Sequence, residues 1–343
     1  MRAAIIGAGS WGTTFAMVLA DAGTDVTICA RRPEIAESIN RRHRNPWYQK
    51  GIRLPDTVRA TTDPATAVEG VDFVALAVPA QHLRESLREW AHHVPPEALY
   101  VSLIKGIELH TTLRMSEVVC EVADVPPDRV AVVTGPNLAR EIAERQPSAA
   151  VVACVDERQA ARLQAACQTS YFRPYTNTDV VGCELAGAVK NVIAVAVGIA
   201  DGLGFGNNSR ASLITRGLAE TARLGVVLGA DPMTFAGLAG LGDLVATCCS
   251  PLSRNHGVGE RLGRGMSVEQ ALAATTTTAE GVVSCQAILE LARKHNVEMP
   301  IVEVVVAVLY EGMRPRDAVG VLMNRSAKAE RHGTPAVRIE NGR

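Results

Sequence analysis

This 343-residue chain is poor in aromatic side chains: three Trp, five Tyr and five Phe make up only 4% of it. Its core must be built from Ala, Val, Leu and Ile, and a platform for stacking nucleic-acid bases has few residues to draw on. Neither sign of charge is in excess, with 35 Lys plus Arg against 36 Asp plus Glu, so nucleic acid is not an expected partner. The eight cysteines contain no C-x-x-C and the eight histidines no H-x-x-x-H or H-E-x-x-H. A zinc site or a metal-dependent mechanism lacks its ligand spacing, and no metal is expected. Long hydrophobic runs are missing too. Stretches such as Val192 to Ala200 fall well below the ~18–20 residues of a membrane span, and no such span is expected. The run after Met1 is shorter than the ~7–15 apolar residues at the centre of a secretory signal. No internal repeat is visible. A cytoplasmic location, with its thiols reduced, is the resulting expectation.

What is present is 47% hydrophobic and 21% charged, long enough at ~100–200 residues per domain for about two domains. In the first half, short β-rich runs alternate with amphipathic stretches: Ala3–Ile6, Asp25–Ala30, Phe73–Ala77, Leu99–Leu103 and Arg129–Thr134, each followed by a turn. The near-continuous hydrophobicity of Phe73 to Val78 suits a strand covered on both faces by crossover helices. A further strand is expected around Ala149–Val155, with an extra edge strand at Tyr171–Pro174. From about Asp179 the chain turns to stretches rich in Ala, Leu, Val, Glu and Arg, predicting helices at Val180–Asp201, Ser209–Leu228, Asp231–Ala239, Gly257–Arg264, Ser267–Ala274, Val282–His295, Pro300–Val308 and Arg314–Asn324. The expected class is α/β, a doubly wound parallel-sheet domain over 1–180 followed by a mostly helical domain over 181–343, with a mobile tail at about 326–343.

Gly7-Ala8-Gly9-Ser10-Trp11-Gly12 follows the first predicted strand and opens an apolar helical stretch, which gives G-x-G-x-x-G its strand-turn-helix context. Gly7 permits the tight turn, Gly9 lets the backbone approach a pyrophosphate, and Gly12 lets the helix pack on the strand, a Rossmann-type dinucleotide turn. The next strand ends Cys29-Ala30-Arg31-Arg32, with no carboxylate where one would bind a ribose 2′-OH. Two guanidiniums there suit a 2′-phosphate, so NADP(H) is favoured, with NAD(H) also accommodated.

Lys190 is the only cation of Glu184 to Ala194, a helix apolar on nearly every face. It is expected to face an internal cleft, where shelter from water makes proton transfer near neutral pH feasible. Leu238 to Leu244, followed by Ser253-Arg254-Asn255, sets a carboxylate and then an Arg with two hydrogen-bonding neighbours on glycine-rich backbone. Cys248 and Cys249 beside it are expected to be small packing residues.

Across these residues the sequence closely resembles the bacterial NAD(P)-dependent sn-glycerol-3-phosphate dehydrogenases. The likeness rests on the glycine fingerprint, Ser102 to Glu108, Thr134-Gly135-Pro136, Glu184 to Asn191, Asn208 to Gly217, Gly240 to Leu244 and Ser253-Arg254-Asn255, in order to about Asn324. One departure is Thr134-Gly135-Pro136-Asn137-Leu138-Ala139, where the family usually reads G-P-S-F-A, so that Asn137 replaces a smaller Ser.

The resemblance implies reversible reduction of dihydroxyacetone phosphate to sn-glycerol 3-phosphate, a precursor of phospholipids, by a homodimer. It implies that Lys190 transfers the proton, that Lys105 lines the site and orients substrate, and that Asp243 binds a hydroxyl or holds Lys190 or Arg254. Arg254 with Asn255, supported by Ser253, would bind the substrate phosphate, and Gly135 and Asn137 would approach the substrate. Ser10, Trp11, Arg31, Arg32, Tyr48, Lys105, Ala139, Arg254, Ala279 and Glu280 would line the cofactor, with Gly7, Gly9 and Gly12 in the turn. Glu280 could equally cap a helix. Two other readings are a related two-domain dehydrogenase acting on another hydroxy or keto acid, and a catalytically silent NADP-binding regulator. Two separated cationic positions, Lys105 and Arg254, favour a phosphorylated substrate, and the presence of both Lys190 and Asp243 speaks against a silent protein.

Overall fold

The short apolar runs of the first half form strands because both of their faces are covered. In β1 (Arg2–Ile6), Ala3 and Ile5 enter one layer of core with Phe15, Phe73 and Leu99, whereas Ala4 and Ile6 enter the opposite layer with Val74, Leu76 and Trp90. A period of two with no wet side is the signature of a central parallel strand. The computed structural model describes residues 1–275, 279–327 and 329–330. In it β1 joins β2 (Asp25–Cys29), β3 (Arg59–Thr61), β4 (Phe73–Leu76), β5 (Leu99–Ser102), β6 (Val130–Thr134), β7 (Ser148–Ala153) and β8 (Phe172–Asn177) in one eight-stranded sheet, ordered β3-β2-β1-β4-β5-β6-β7-β8. The strand order reverses between β1 and β4, and a crevice at such a switch point is where open α/β sheets bind ligands. The sheet is layered with α1 (Ser10–Asp21), α2 (Pro33–Arg42), α3 (Pro64–Ala67), α4 (Leu83–Trp90), α5 (Met115–Ala123), α6 (Ala139–Ala143) and α7 (Glu157–Cys167).

Two details correct the sequence reading. The sheet is not wholly parallel, because β7 runs antiparallel to β6, with Thr134 opposite Val151. The link between them holds only the five-residue α6, too short to carry the chain back across the sheet for a parallel return. The three-residue edge strand β3 was not foreseen, since Arg59-Ala60-Thr61 is too short and polar to show alternation.

From Val180 onward the described chain is helical: α8 (Val180–Gly202), α9 (Asn207–Val227), α10 (Pro232–Ala236), α11 (Asp243–Cys249), α12 (Arg254–Gly263), α13 (Val268–Ala273), α14 (Glu280–Lys294), α15 (Pro300–Tyr310) and α16 (Pro315–Met323). By length and hydropathy α8 would suit a membrane span, yet 94% of its most apolar stretch is buried inside the fold. Val192 and Val195 of α8 pack in a second core with Val258, Ile288 and Val305. Helix α12 lies unusually close, because Gly198 and Gly202 face the α12 backbone and Gly259 and Gly263 face that of α8, with no room for a Cβ at any of the four.

The expected helix over 231–239 stops at Ala236. Gly237 is extended, a π-helical turn follows over Leu238–Gly242, and Gly240 lies so tightly on the Phe235 carbonyl that no side chain fits. Asp243 is thereby delivered to the first turn of α11. Cys248 is buried as a packing residue should be, whereas Cys249 is exposed, so that reading holds for the first of the pair only. The expectation of a mobile tail over 326–343 falls almost wholly outside the described residues.

One buried carboxylate supports this helical half. Pro300 opens α15 and Met299 gives it no side-chain cap, so Glu220 of α9 serves instead, accepting from the Ile301 N–H at 3.1 Å with both oxygens. Burial drives the Glu220 carboxyl from 4.5 up to about 7, against the opposing pull of the backbone N–H groups and Arg223. The folded state therefore holds this proton where the unfolded chain releases it, and Glu220 costs stability progressively as pH rises from about 4.5 through 7. Glu220→Gln is expected to gain progressively on the parent in unfolding free energy between pH 5 and pH 8, by at most about 3 kcal/mol. Parallel thermal melts across that range check it, and a pH-independent difference would contradict it.

Candidate active site

The glycine turn sits at the C-terminal end of β1. Gly7 has φ +115°, which a side chain rarely adopts, and a Cβ there would meet the Ala77 carbonyl at 2.6 Å. A side chain at Gly12 would strike the Gly7 carbonyl, whereas nothing lies within 4 Å of a Cβ at Gly9. That open flank is where a diphosphate can come down on the backbone. No side chain caps the start of α1 at Gly9, so its first N–H groups and the positive end of the helix are available to an anion. Trp11 Nε1 is buried with no hydrogen-bonding partner among the described residues, an unsatisfied donor beside the same turn. These features fit a dinucleotide.

A segment that sequence reasoning mostly missed holds the turn in place. Asn45 donates to the Ala8 carbonyl at 2.9 Å and to Thr13 Oγ1 at 2.8 Å, and Gln49 donates to Thr14 Oγ1 at 2.7 Å. Ser10 Oγ donates to the Tyr48 carbonyl at 3.3 Å, and the Ala139 carbonyl accepts from Thr14 Oγ1 at 3.1 Å. Ser10, Tyr48 and Ala139 are thus brought together. Arg31 is exposed, and Arg32 lies 3.7 Å from Glu34.

Lys105 and Gly135 occupy the loops after β5 and β6, on the same edge of the sheet as the glycine turn. Lys105 Nζ donates to the Gly135 carbonyl at 2.9 Å and to Asp243 Oδ2 at 2.6 Å. Lys190 Nζ takes the other oxygen, donating to Asp243 Oδ1 at 2.7 Å and to Thr247 Oγ1 at 2.5 Å. The Asp243 side chain is only 3% exposed and that of Lys190 9%. Two ammonium groups share one carboxylate, so a buried site on the sheet edge carries net positive charge. Burial brings the Lys105 amine down to about 8, with Lys190 pushing it the same way and Asp243 opposing. The register of α8 against the sheet is fixed by buried Glu184, which accepts from Arg114 Nη1 at 2.6 Å and from the Ser116 N–H at 2.8 Å.

The second polar cluster surrounds the start of α12. Ser253 caps the helix by accepting from the His256 N–H, placing Arg254 and Asn255 in its first turn, three residues earlier than the predicted helix start. Asn255 donates to Asn191 Oδ1 at 3.0 Å and accepts from the Gly281 N–H at 3.0 Å, while Asn191 donates to the Lys105 carbonyl at 3.2 Å. This chain of amides joins the Lys105 loop, α8, α12 and α14. Ser253 and Asn255 are thus engaged within the protein, and Arg254 brings the charge of the triplet. The protein packed around Arg254 works against its charge and Glu280 supports it. Ala279 is the N-cap position of α14, and Glu280, its first residue, is pushed up by burial while bonding the backbone at Ala80. Both polar atoms of the Asn137 amide are buried without a partner among the described residues. Thr247 and Asn191 were not anticipated as site residues, although Thr247 lies one helical turn beyond Asp243, a spacing that could have indicated it.

A dinucleotide turn and a sheltered Lys–Asp–Lys centre on one sheet edge define a nucleotide-dependent dehydrogenase with a helical second half. Residues 2–160 match the family model described as NAD-dependent glycerol-3-phosphate dehydrogenase N-terminus, and residues 179–320 match that of its C-terminus. The chain belongs to the NAD-dependent glycerol-3-phosphate dehydrogenase family. A glycerol-3-phosphate dehydrogenase (NAD(P)+) of Streptomyces griseus is 65% identical over 331 residues, 96% of this chain and 98% of that protein. One of Thermobifida fusca is 61% identical over 97% of this chain and 99% of its own length. The crystal structure of glycerol-3-phosphate dehydrogenase from Coxiella burnetii is 36% identical, covers 94% of this chain and 99% of its own, and superposes with a TM-score of 0.90.

Proposed function

We propose that this enzyme interconverts dihydroxyacetone phosphate and sn-glycerol 3-phosphate, using NADPH or NADH, and so supplies a backbone for phospholipids. The observation that carries the reading is the pair of lysines held on the two oxygens of Asp243. Carbonyl reduction needs a proton donor and positive charge beside a developing alkoxide, and this centre offers both. The dinucleotide, when bound in the glycine turn, supplies the hydride that the substrate carbonyl accepts. Lys190 delivers the proton to the oxygen at C2 and recovers it in the oxidation, while Asp243 and Thr247 hold its amine in place. Lys105 orients the substrate and offsets negative charge. Arg254 at the positive end of α12 binds the phosphate, with Gly135 and Asn137 against the substrate and Ala139, Ala279 and Glu280 towards the cofactor. The same reading divides the chain into a nucleotide unit over 1–180 and a substrate unit over 181–343.

Following NADPH absorbance with dihydroxyacetone phosphate, then with unphosphorylated dihydroxyacetone, tests this directly. Rapid turnover of the first and little of the second is expected; the reverse would favour another hydroxy or keto acid. A preference for NADPH is part of the proposal, supported by Arg31 and Arg32 directly after β2 and the lack of a carboxylate at its end. Replacing Arg31 by Gln is expected to raise the KM for NADPH roughly tenfold or more while changing that for NADH little. Equal losses for both cofactors would remove the 2′-phosphate assignment. Eight free cysteines suit a reducing compartment, and cytoplasmic action as a homodimer completes the reading.

A further inference from the structure

We propose that Trp47, with Arg32 and Tyr48, forms the stacking face for the adenine of the bound dinucleotide, leaving Arg31 to meet the 2′-phosphate. The inference rests on the dinucleotide reading above and assigns a new residue within that site. In a Rossmann-type turn the diphosphate lies at the start of the first helix and the adenosine ribose at the end of the second strand. Arg31 and Arg32 follow β2 directly, so the adenine lies beside them. Trp47 is one of only three tryptophans in the chain, and it remains 44% exposed on this flank.

The Arg32 guanidinium carbon stands 5.3 Å from the centre of the Trp47 ring and 5.9 Å from that of Tyr48. Those distances are cation–π contacts, and Glu34 at 3.7 Å offsets part of the same charge. Arg32 is therefore committed to two rings and a carboxylate, whereas Arg31 is exposed and has no carboxylate partner among the described residues. The two arginines that look equivalent in the sequence are unequal in the fold. The platform is also fixed relative to the diphosphate turn, because Asn45, Gln49 and the Tyr48 carbonyl bond to Ala8, Ser10, Thr13 and Thr14 on either side of Trp47. A flat guanidinium–indole surface held at a set distance from a diphosphate site is suited to a purine, whose π-face stacks on aromatic and guanidinium planes alike.

Adenine is common to both cofactors and the 2′-phosphate is not, so calorimetric titration separates the two roles. Trp47→Ala is expected to weaken NADPH, NADH and adenosine 5′-monophosphate alike, each by about tenfold. Trp47→Phe should recover most of that loss, since it keeps a ring for Arg32 and the base. Arg31→Gln should weaken NADPH and leave NADH and adenosine 5′-monophosphate near the parent values. Parental affinities for all three ligands in a folded Trp47→Ala protein would overturn the platform, and an Arg31→Gln loss shared by NADH would overturn the division between the arginines. Failure of the unsubstituted enzyme to bind either dinucleotide would overturn the underlying reading, an outcome distinct from both.

Discussion

Lys190→Ala is expected to lower kcat for dihydroxyacetone phosphate by about two to four orders of magnitude, the usual worth of a positioned general acid, while NADPH still binds. The substitution is a fair test because it leaves no orphaned charge. Asp243 keeps Lys105 on its Oδ2, so a two-to-one cluster becomes a neutral pair and the repulsion between two buried ammonium groups disappears. Loss of activity would then report chemistry rather than collapse, and calorimetric binding of NADPH to the variant verifies that the fold survives. Turnover close to that of the parent would transfer the proton role to Lys105, whose amine burial brings down to about 8 and whose Nζ meets the same carboxylate.

Arg254→Ala is expected to raise the KM for dihydroxyacetone phosphate by about two orders of magnitude, the scale of truncating one partner of a hydrogen-bonded charge pair. Arg254 stands exposed in the first turn of α12, where the protein packed around it works against its charge and Glu280 supports it; an arriving phosphate dianion would stabilise that charge further. Unphosphorylated dihydroxyacetone supplies the control, because its poor turnover should scarcely change. A normal KM for the phosphorylated substrate would place its phosphate elsewhere. Steady-state kinetics with both ketones decides between these outcomes.

Much of this was legible before any coordinates. The strands at 3–6, 25–30, 73–77, 99–103 and 129–134 lie within a residue or two of where their hydrophobic pattern puts them. The helical second half was equally plain from its composition. Lys190 stood out as the one cation in an apolar helix, and its burial agrees with that reading. Failures occurred where local pattern is weak or overridden. β3 carries three residues without alternation, the β6–β7 pairing depends on a short connection, and the 231–239 stretch reads as one helix although it ends at Ala236, with a π turn following over Leu238–Gly242 where Gly240 packs on the Phe235 carbonyl. Asn45 and Gln49 gave no signal, because polar loop residues look alike until something beside them needs a donor.

Sequence alone determined those features whose cause lies within a few residues: the dinucleotide turn, fixed by where glycine is sterically required; the strands, by burial on both faces; and the arginines placed after β2. Tertiary structure decided the chemistry of the centre. Asp243 meets Lys105 across 138 positions of chain and Lys190 across 53, distances over which no periodicity carries information. Those meetings follow from glycine-lined packing of α12 on α8, the anchoring of Glu184 by Arg114 and Ser116, and the tight turn before α11. The physical reason is that a buried charge is tolerated only where its partner already stands, and it takes the whole packed core to bring three such residues to one point.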